Sequence, residues 1–164
     1  MPARIRRLLS ILAVIAALTP LSAGAAHAEP SGTIGESVPL GDTTVVSKLS
    51  LEQLQSVLRS EGYTFSLTER KNVLWKIDGV SVLLYVGKTS VSCWVSYSDL
   101  KPSLEKINAW NREMRFSTAF LDADGDPCLE LDLDLEGGVT VARVKDYLKT
   151  CRQSIARWTE KIAH

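Results

Sequence analysis

Between Leu129 and Glu136 the chain reads LELDLDLE. Leu129, Leu131, Leu133 and Leu135 fall on one side of an extended strand, and Glu130, Asp132, Asp134 and Glu136 fall on the other. Strict period two with leucine on one face fits a half-buried β-strand, whereas a helix would scatter the leucines around its axis. The chain then changes period. From about Val139 to Ile162, Val141, Val144, Leu148, Cys151, Ile155, Trp158 and Ile162 recur at spacings of 3, 4, 3, 4, 3 and 4. That is an unbroken apolar stripe on one long helix. Such a stripe either lies along a sheet or projects at its end to pair with a partner helix.

The remaining elements fit around these two. Ser50 is a good N-cap, with Gln53 three residues on to complete a capping box, and Leu51, Leu54 and Leu58 repeat at helical spacing up to a stop at Gly62. Four short runs rich in β-branched and aromatic residues follow: Tyr63 to Thr68, Val73 to Ile77, Val80 to Val86 and Val91 to Tyr97. Asp78-Gly79 predicts a two-residue hairpin, and Gly87 to Ser90 turns the third run into the fourth. In that fourth run Val91, Cys93, Val95 and Tyr97 face one way, and Ser92, Trp94 and Ser96 the other. A second helix is expected to begin near Pro102 and continue through LEKINAWNREM, with Leu104, Ile107, Trp110 or Asn111, and Met114 on one side. Strands over Arg115 to Asp122 and Cys128 to Leu135 come next, and Gly137-Gly138 breaks the chain before the last helix. The order α-β-β-β-β-α-β-β-α pairs strands in hairpins, which predicts an α+β fold with an antiparallel sheet.

The N-terminus is expected to be absent from the working protein. Arg4, Arg6 and Arg7 precede an apolar run of eleven residues, Leu8 to Leu18, and Ala26-His27-Ala28 carries small residues at the two positions a signal peptidase reads. About 20 apolar residues are needed to span a bilayer, so the run predicts a signal peptide cleaved after Ala28. Residues 29–48, rich in Gly, Ser, Thr and Pro, are expected to be a flexible lead-in, and residues 49–164 one domain. Losing three arginines takes the 19 basic and 19 acidic residues to 16 against 19, a net charge of −3. A mildly acidic chain is a poor nucleic-acid binder. No later segment is apolar and long enough to span a membrane. The expected location is the periplasm or the outside of a bacterial cell.

Phe120 to Gly138, FLDADGDPCLELDLDLEGG, raises the question of chemistry. An EF-hand loop needs oxygens at positions 1, 3 and 5, Gly at 6 and Glu at 12. Asp122, Asp124 and Asp126 match the first three, but position 6 is Pro127, position 12 is Leu133, and the flanks read as strands. Asp124-Gly125 instead predicts a hairpin turn, with the acids that follow on a solvated outer face. Two acids at i and i+2 lie roughly 7 Å apart, a separation some glycosidases use, but an open face of mutually repelling acids lacks the required cleft. The histidines are His27, inside the signal, and the terminal His164, so no Ser-His-Asp or Cys-His device is expected. Nothing marks a catalytic, cofactor or metal site.

Cys93, Cys128 and Cys151 form no CxxC pair. An oxidising compartment permits one disulfide. Cys151 lies on the apolar stripe, Cys93 has inward parity, and Cys128 has the parity of the acidic face. A bond from Cys151 to either Cys93 or Cys128 is expected, with the choice open. Trp94 with Ser92 and Ser96 is the candidate partner surface, since an exposed tryptophan between serines suits a contact face.

The segment LEKINAWNREMRFSTAFLDADGDPCLELDLDLEGGVTVARVKDYL resembles the YbjN family, bacterial proteins labelled sensory transduction regulators. The likeness rests on Trp110-Asn111 at the helix end, Arg115-Phe116, the turn Asp124-Gly125-Asp126, the acidic leucine strand and the helix start at Gly137-Gly138-Val139. It spans roughly Leu49 to Ile162 and is specific from Leu104 to Val144. The resemblance implies a twisted antiparallel sheet with helices on one side, like that of type III secretion chaperones. It also implies a homodimer and a non-catalytic binding or regulatory role without cofactor. On that basis Trp110 and Phe116 are expected in core or dimer contacts, and Asn111 at the end of its helix. A signal peptide sets this chain apart from the family's cytoplasmic members. The expected function is therefore an envelope module with a protein or peptide partner. The alternative is an envelope protein that binds a small ligand or metal ion through the acidic strand face.

Overall fold

The computed structural model describes residues 40–163, with side chains through residue 162. The expected signal peptide, residues 1–28, and the expected lead-in through residue 39 lie outside the described residues. The elements run β1 (Val45–Val46), α1 (Leu51–Ser60), β2 (Phe65–Leu67), β3 (Val73–Ile77), β4 (Val80–Val86), β5 (Ser90–Ser96), α2 (Leu104–Glu113), β6 (Thr118–Leu121), β7 (Pro127–Asp134), β8 (Val139–Thr140) and α3 (Val141–Ala163). The fold is α+β. Six strands form an antiparallel sheet in the order β2-β3-β4-β5-β7-β6, and β1 pairs with β8 in a separate two-stranded ribbon.

Local chemistry sets the element ends. The capping box at α1 is complete, with Gln53 N donating to Ser50 Oγ at 3.2 Å and Ser50 N donating to Gln53 Oε1 at 2.8 Å. Asp78 and Gly79, at φ 46° and 87°, make the turn between β3 and β4, which closes on the Ile77–Val80 pair. Two positive φ angles at consecutive turn residues match the right-handed twist of the flanking strands. Helix α2 starts at Leu104, two residues after the expected Pro102, with the Ser103 side chain as its N-cap.

Alternation divides the large sheet into two faces. Val73, Trp75, Ile77, Val82, Leu84, Val91, Cys93, Val95, Leu129, Leu131 and Leu133 point into one core. Leu54 and Leu58 of α1, Ile107 and Trp110 of α2 and the stripe of α3 fill the other side of that core. Trp110 meets Trp158 edge-on, with ring centroids 5.1 Å apart. The α3 stripe is buried as far as Ile162, so it packs along its own sheet and presents no apolar end for a partner helix. Polar tethers hold α3 in place. Tyr147 Oη donates to the Leu131 carbonyl at 2.8 Å, Tyr97 and Thr159 share a hydroxyl contact, and Arg152 reaches Asp78 at 3.3 Å.

The expected lead-in differs at its end. Val45 and Val46 pair with Thr140 and Val139, and Val46 and Leu49 are buried. The run of Gly, Ser and Thr before them conceals this strand, because two residues are too few to show a period. Gly138 makes the pairing possible: its φ is +91°, and a Cβ there would sit 2.8 Å from Val45 Cγ1.

Candidate functional site

The second face of the sheet carries no helix among the described residues. Its centre is a row of residues in direct register across five strands: Leu74 on β3, Leu83 on β4, Trp94 on β5, Glu130 on β7 and Thr118 on β6. Directly opposed side chains stand about 5 Å apart at Cβ, so Leu74, Leu83 and Trp94 form one apolar strip. Tyr85, Ser92 and Asp132 make the next row, and Ser96, Cys128 and Phe120 the row on the other side. Leu74, Leu83, Tyr85, Trp94 and Phe120 are all half-buried, whereas Trp75, Trp110 and Trp158 are sealed in the core. Trp94, Ser92 and Ser96 thus share one accessible face, with Trp94 at its middle.

The strip ends in acid. Glu130 follows Trp94 in the row, and Asp132 and Asp134 lie on the same side of β7. Burial, and then the neighbouring Asp132, pushes the Glu130 carboxyl above its ordinary range. Burial also raises the Tyr85 hydroxyl, Glu130 adds to that rise, and Arg70 opposes it. The Ser92 hydroxyl donates to the Asp132 carboxylate. This face therefore has apolar area beside the carboxylates of Glu130, Asp132 and Asp134, with Lys76 on β3 at its other side.

The Asp-Ala-Asp-Gly-Asp segment is a turn held by its own first carboxylate. Asp122 Oδ1 accepts from Asp124 N at 3.0 Å and Asp126 N at 2.8 Å, and Gly125 N donates to the Asp122 carbonyl at 3.0 Å. Asp126 pairs with Lys101. Among the described residues no three His, Cys, Asp or Glu side chains are grouped to hold a metal ion.

Contrary to expectation Asn111 does not end its helix, because α2 continues to Glu113 and Met114 is the C-cap. The Asn111 side-chain amide donates to the Ala119 carbonyl at 2.9 Å and accepts from Ala119 N at 2.8 Å. β6 is an edge strand, so Asn111 supplies the backbone partner that a neighbouring strand would have given. Trp110 Nε1 donates to Ser117 Oγ at 3.1 Å. Between these two anchors the chain turns sharply, and Phe116 sits at φ 65° with 76% of its surface exposed. Of the core or dimer contacts expected for these two aromatics, Trp110 takes the core place and the exposed Phe116 does not. Arg115 is exposed beside it, and both line a groove of about 310 Å³ whose far wall is Gln153, Ser154 and Arg157 of α3. The sequence gives no sign of that groove, because its two walls lie some forty residues apart.

The family model YbjN, "Putative bacterial sensory transduction regulator", matches residues 50–164. The chain belongs to the YbjN family. Among solved structures it is similar to the crystal structure of YbjN from E. coli, described as "a putative transcription regulator". The two share 17% identity and superpose with a TM-score of 0.60 over 73% of this chain and 92% of that one, a likeness of fold. No curated protein matches the chain. Within this YbjN domain the family-like residues cluster on the β6–β7 side. Trp110 and Asn111 fix the entry to β6, Arg115 and Phe116 form the exposed corner, and Asp124, Gly125 and Asp126 close the hairpin. Gly137 and Gly138, both at positive φ, turn β7 into β8.

All three cysteines are buried free thiols. Cys128 is directly opposite Ser96, on the helix-free face, while Cys93 is directly opposite Leu131, on the core face. The sheet therefore separates Cys128 from Cys151 of α3, and of the two expected partners of Cys151 only Cys93 is within reach.

Proposed function

We propose that this YbjN-family chain is a non-catalytic binding module of the bacterial envelope or the extracellular space. It engages a protein or peptide through the helix-free face of its sheet. The observation that carries this is the in-register strip Leu74–Leu83–Trp94 leading into Glu130 on a face that no described helix covers. Strips of half-buried aliphatic and aromatic side chains beside charge are what protein contacts use, with a tryptophan as the usual anchor. The acids favour a partner segment with apolar side chains flanked by lysine or arginine. The location rests on the basic, apolar and small-residue pattern of residues 1–28. The homodimer implied by the family resemblance belongs to the same reading, and light scattering on the purified chain tests it.

Leu83→Glu places a charge in the middle of the strip and leaves the core face untouched. The expected result is an unchanged melting temperature with at least tenfold weaker capture of the partner that the wild-type chain retains from native envelope extract. Equal capture by both chains contradicts the assignment of this face.

A further inference from the structure

We propose that Cys93 and Cys151 form a disulfide during folding, which fastens α3 to the centre of the sheet. Both side chains are fully buried. Cys93 is in register with Leu131 on the neighbouring strand. The Tyr147 hydroxyl donates to the Leu131 carbonyl at 2.8 Å, which sets that turn of α3 over the same part of the sheet. Cys151 is four residues further along α3, on the same side as Tyr147, and it shares one buried core with Cys93. Two thiols in one core, with α3 tethered over the sheet beside them, are placed to bond as that core closes.

The reaction is thiol–disulfide exchange with a disulfide oxidant such as oxidised glutathione. One cysteine, as its thiolate, attacks a sulfur of the oxidant, breaks that S–S bond and expels one glutathione thiolate, leaving a mixed disulfide. The second cysteine loses its proton, attacks the protein sulfur of the mixed disulfide and expels the second glutathione. Two protein thiols are oxidised, and one oxidant disulfide is reduced to two thiols. The timing follows from burial, which holds the Cys93 thiol well above its ordinary range and leaves no solvent path to either sulfur. In the folded, reduced protein these thiols are inert; the exchange belongs to the folding chain, before α3 closes the core. Closing a loop of this length favours folding on the order of a thousandfold in the chain-entropy account.

The test refolds the full chain from denaturant in a mixture of reduced and oxidised glutathione. A thiol alkylating agent is then added under denaturing conditions, and the product is mapped by mass spectrometry. The expected product carries one alkyl group, on Cys128, and a cross-linked peptide pair containing Cys93 and Cys151. Cys128→Ser keeps the cross-link and Cys93→Ser loses it. Three alkylated cysteines, or a cross-link through Cys128, overturn the proposal. The folded reduced protein placed in the same mixture should oxidise far more slowly than the refolding chain, and equal rates overturn the assignment to folding.

Discussion

Among the described residues Phe116 has the backbone conformation least suited to its side chain. A left-handed φ of 65° costs an aromatic residue about 1 kcal/mol relative to glycine, and with 76% of its surface exposed it recovers little by packing. Phe116→Gly should therefore stabilise the fold by about 1 kcal/mol, read as a higher urea midpoint; a lower midpoint would mean that the side chain contributes packing that offsets the strain. Glu130 makes a prediction about pH. Its folded-state carboxyl is raised above the unfolded value by burial and by Asp132, so the folded chain binds the proton more tightly. Stability from this group is present below the ordinary glutamate range and is lost as pH rises through the folded value. Glu130→Gln should melt higher than the wild-type chain at pH 7 and equally at pH 3. A difference that persists unchanged at acid pH would contradict the cause given. Ser50, Gln53, Asp78 and Gly79 act in the structure as their residue types foretell, because a cap and a two-residue turn are decided within four residues of sequence. The roles of Phe116 and Asn111 were not legible. Both depend on Ala119 and Ser117 being anchored across a corner, and no local pattern encodes that.

At the scale of elements, the sheet was legible wherever alternation runs for five residues or more. β3, β4, β5 and β7 follow their period, and β7 does so because leucine and acid never exchange places. The stripe of α3 specifies its packing in the same way. The β1–β8 ribbon was not legible, since each strand has two residues and the contact between them depends on a missing side chain at Gly138. Lys145 supports the ribbon from α3, reaching Asp42 at 2.7 Å and Glu61 of the α1 end at 3.3 Å. Gly138→Ala should cost roughly 1–3 kcal/mol, because the added Cβ meets Val45 and the φ is unfavourable for any residue with one. Hydrogen exchange should show the loss first at Val45 and Val46. Exchange unchanged there would contradict the account of the ribbon.

At the scale of the whole molecule, the three helices of the described residues pack on one side of a six-stranded sheet and leave the other side with its largest aromatic half-covered. The two periods in the sequence foretell the antiparallel α+β arrangement, and strand parity separates Trp94 from the core-facing residues. What parity could not supply was the row itself. Leu74, Leu83, Trp94 and Glu130 come from four strands, and only their register brings them into line. The central claim is that this row is where the molecule meets its partner. The most direct measurement replaces Trp94 with a photo-crosslinking amino acid in cells that make the protein. A matched control carries the same group at Leu104, which is 61% exposed on α2. The account predicts one saturable adduct from position 94, absent in the Leu83→Glu background, and none from position 104. Adducts from position 104 alone, or from both positions alike, would contradict it.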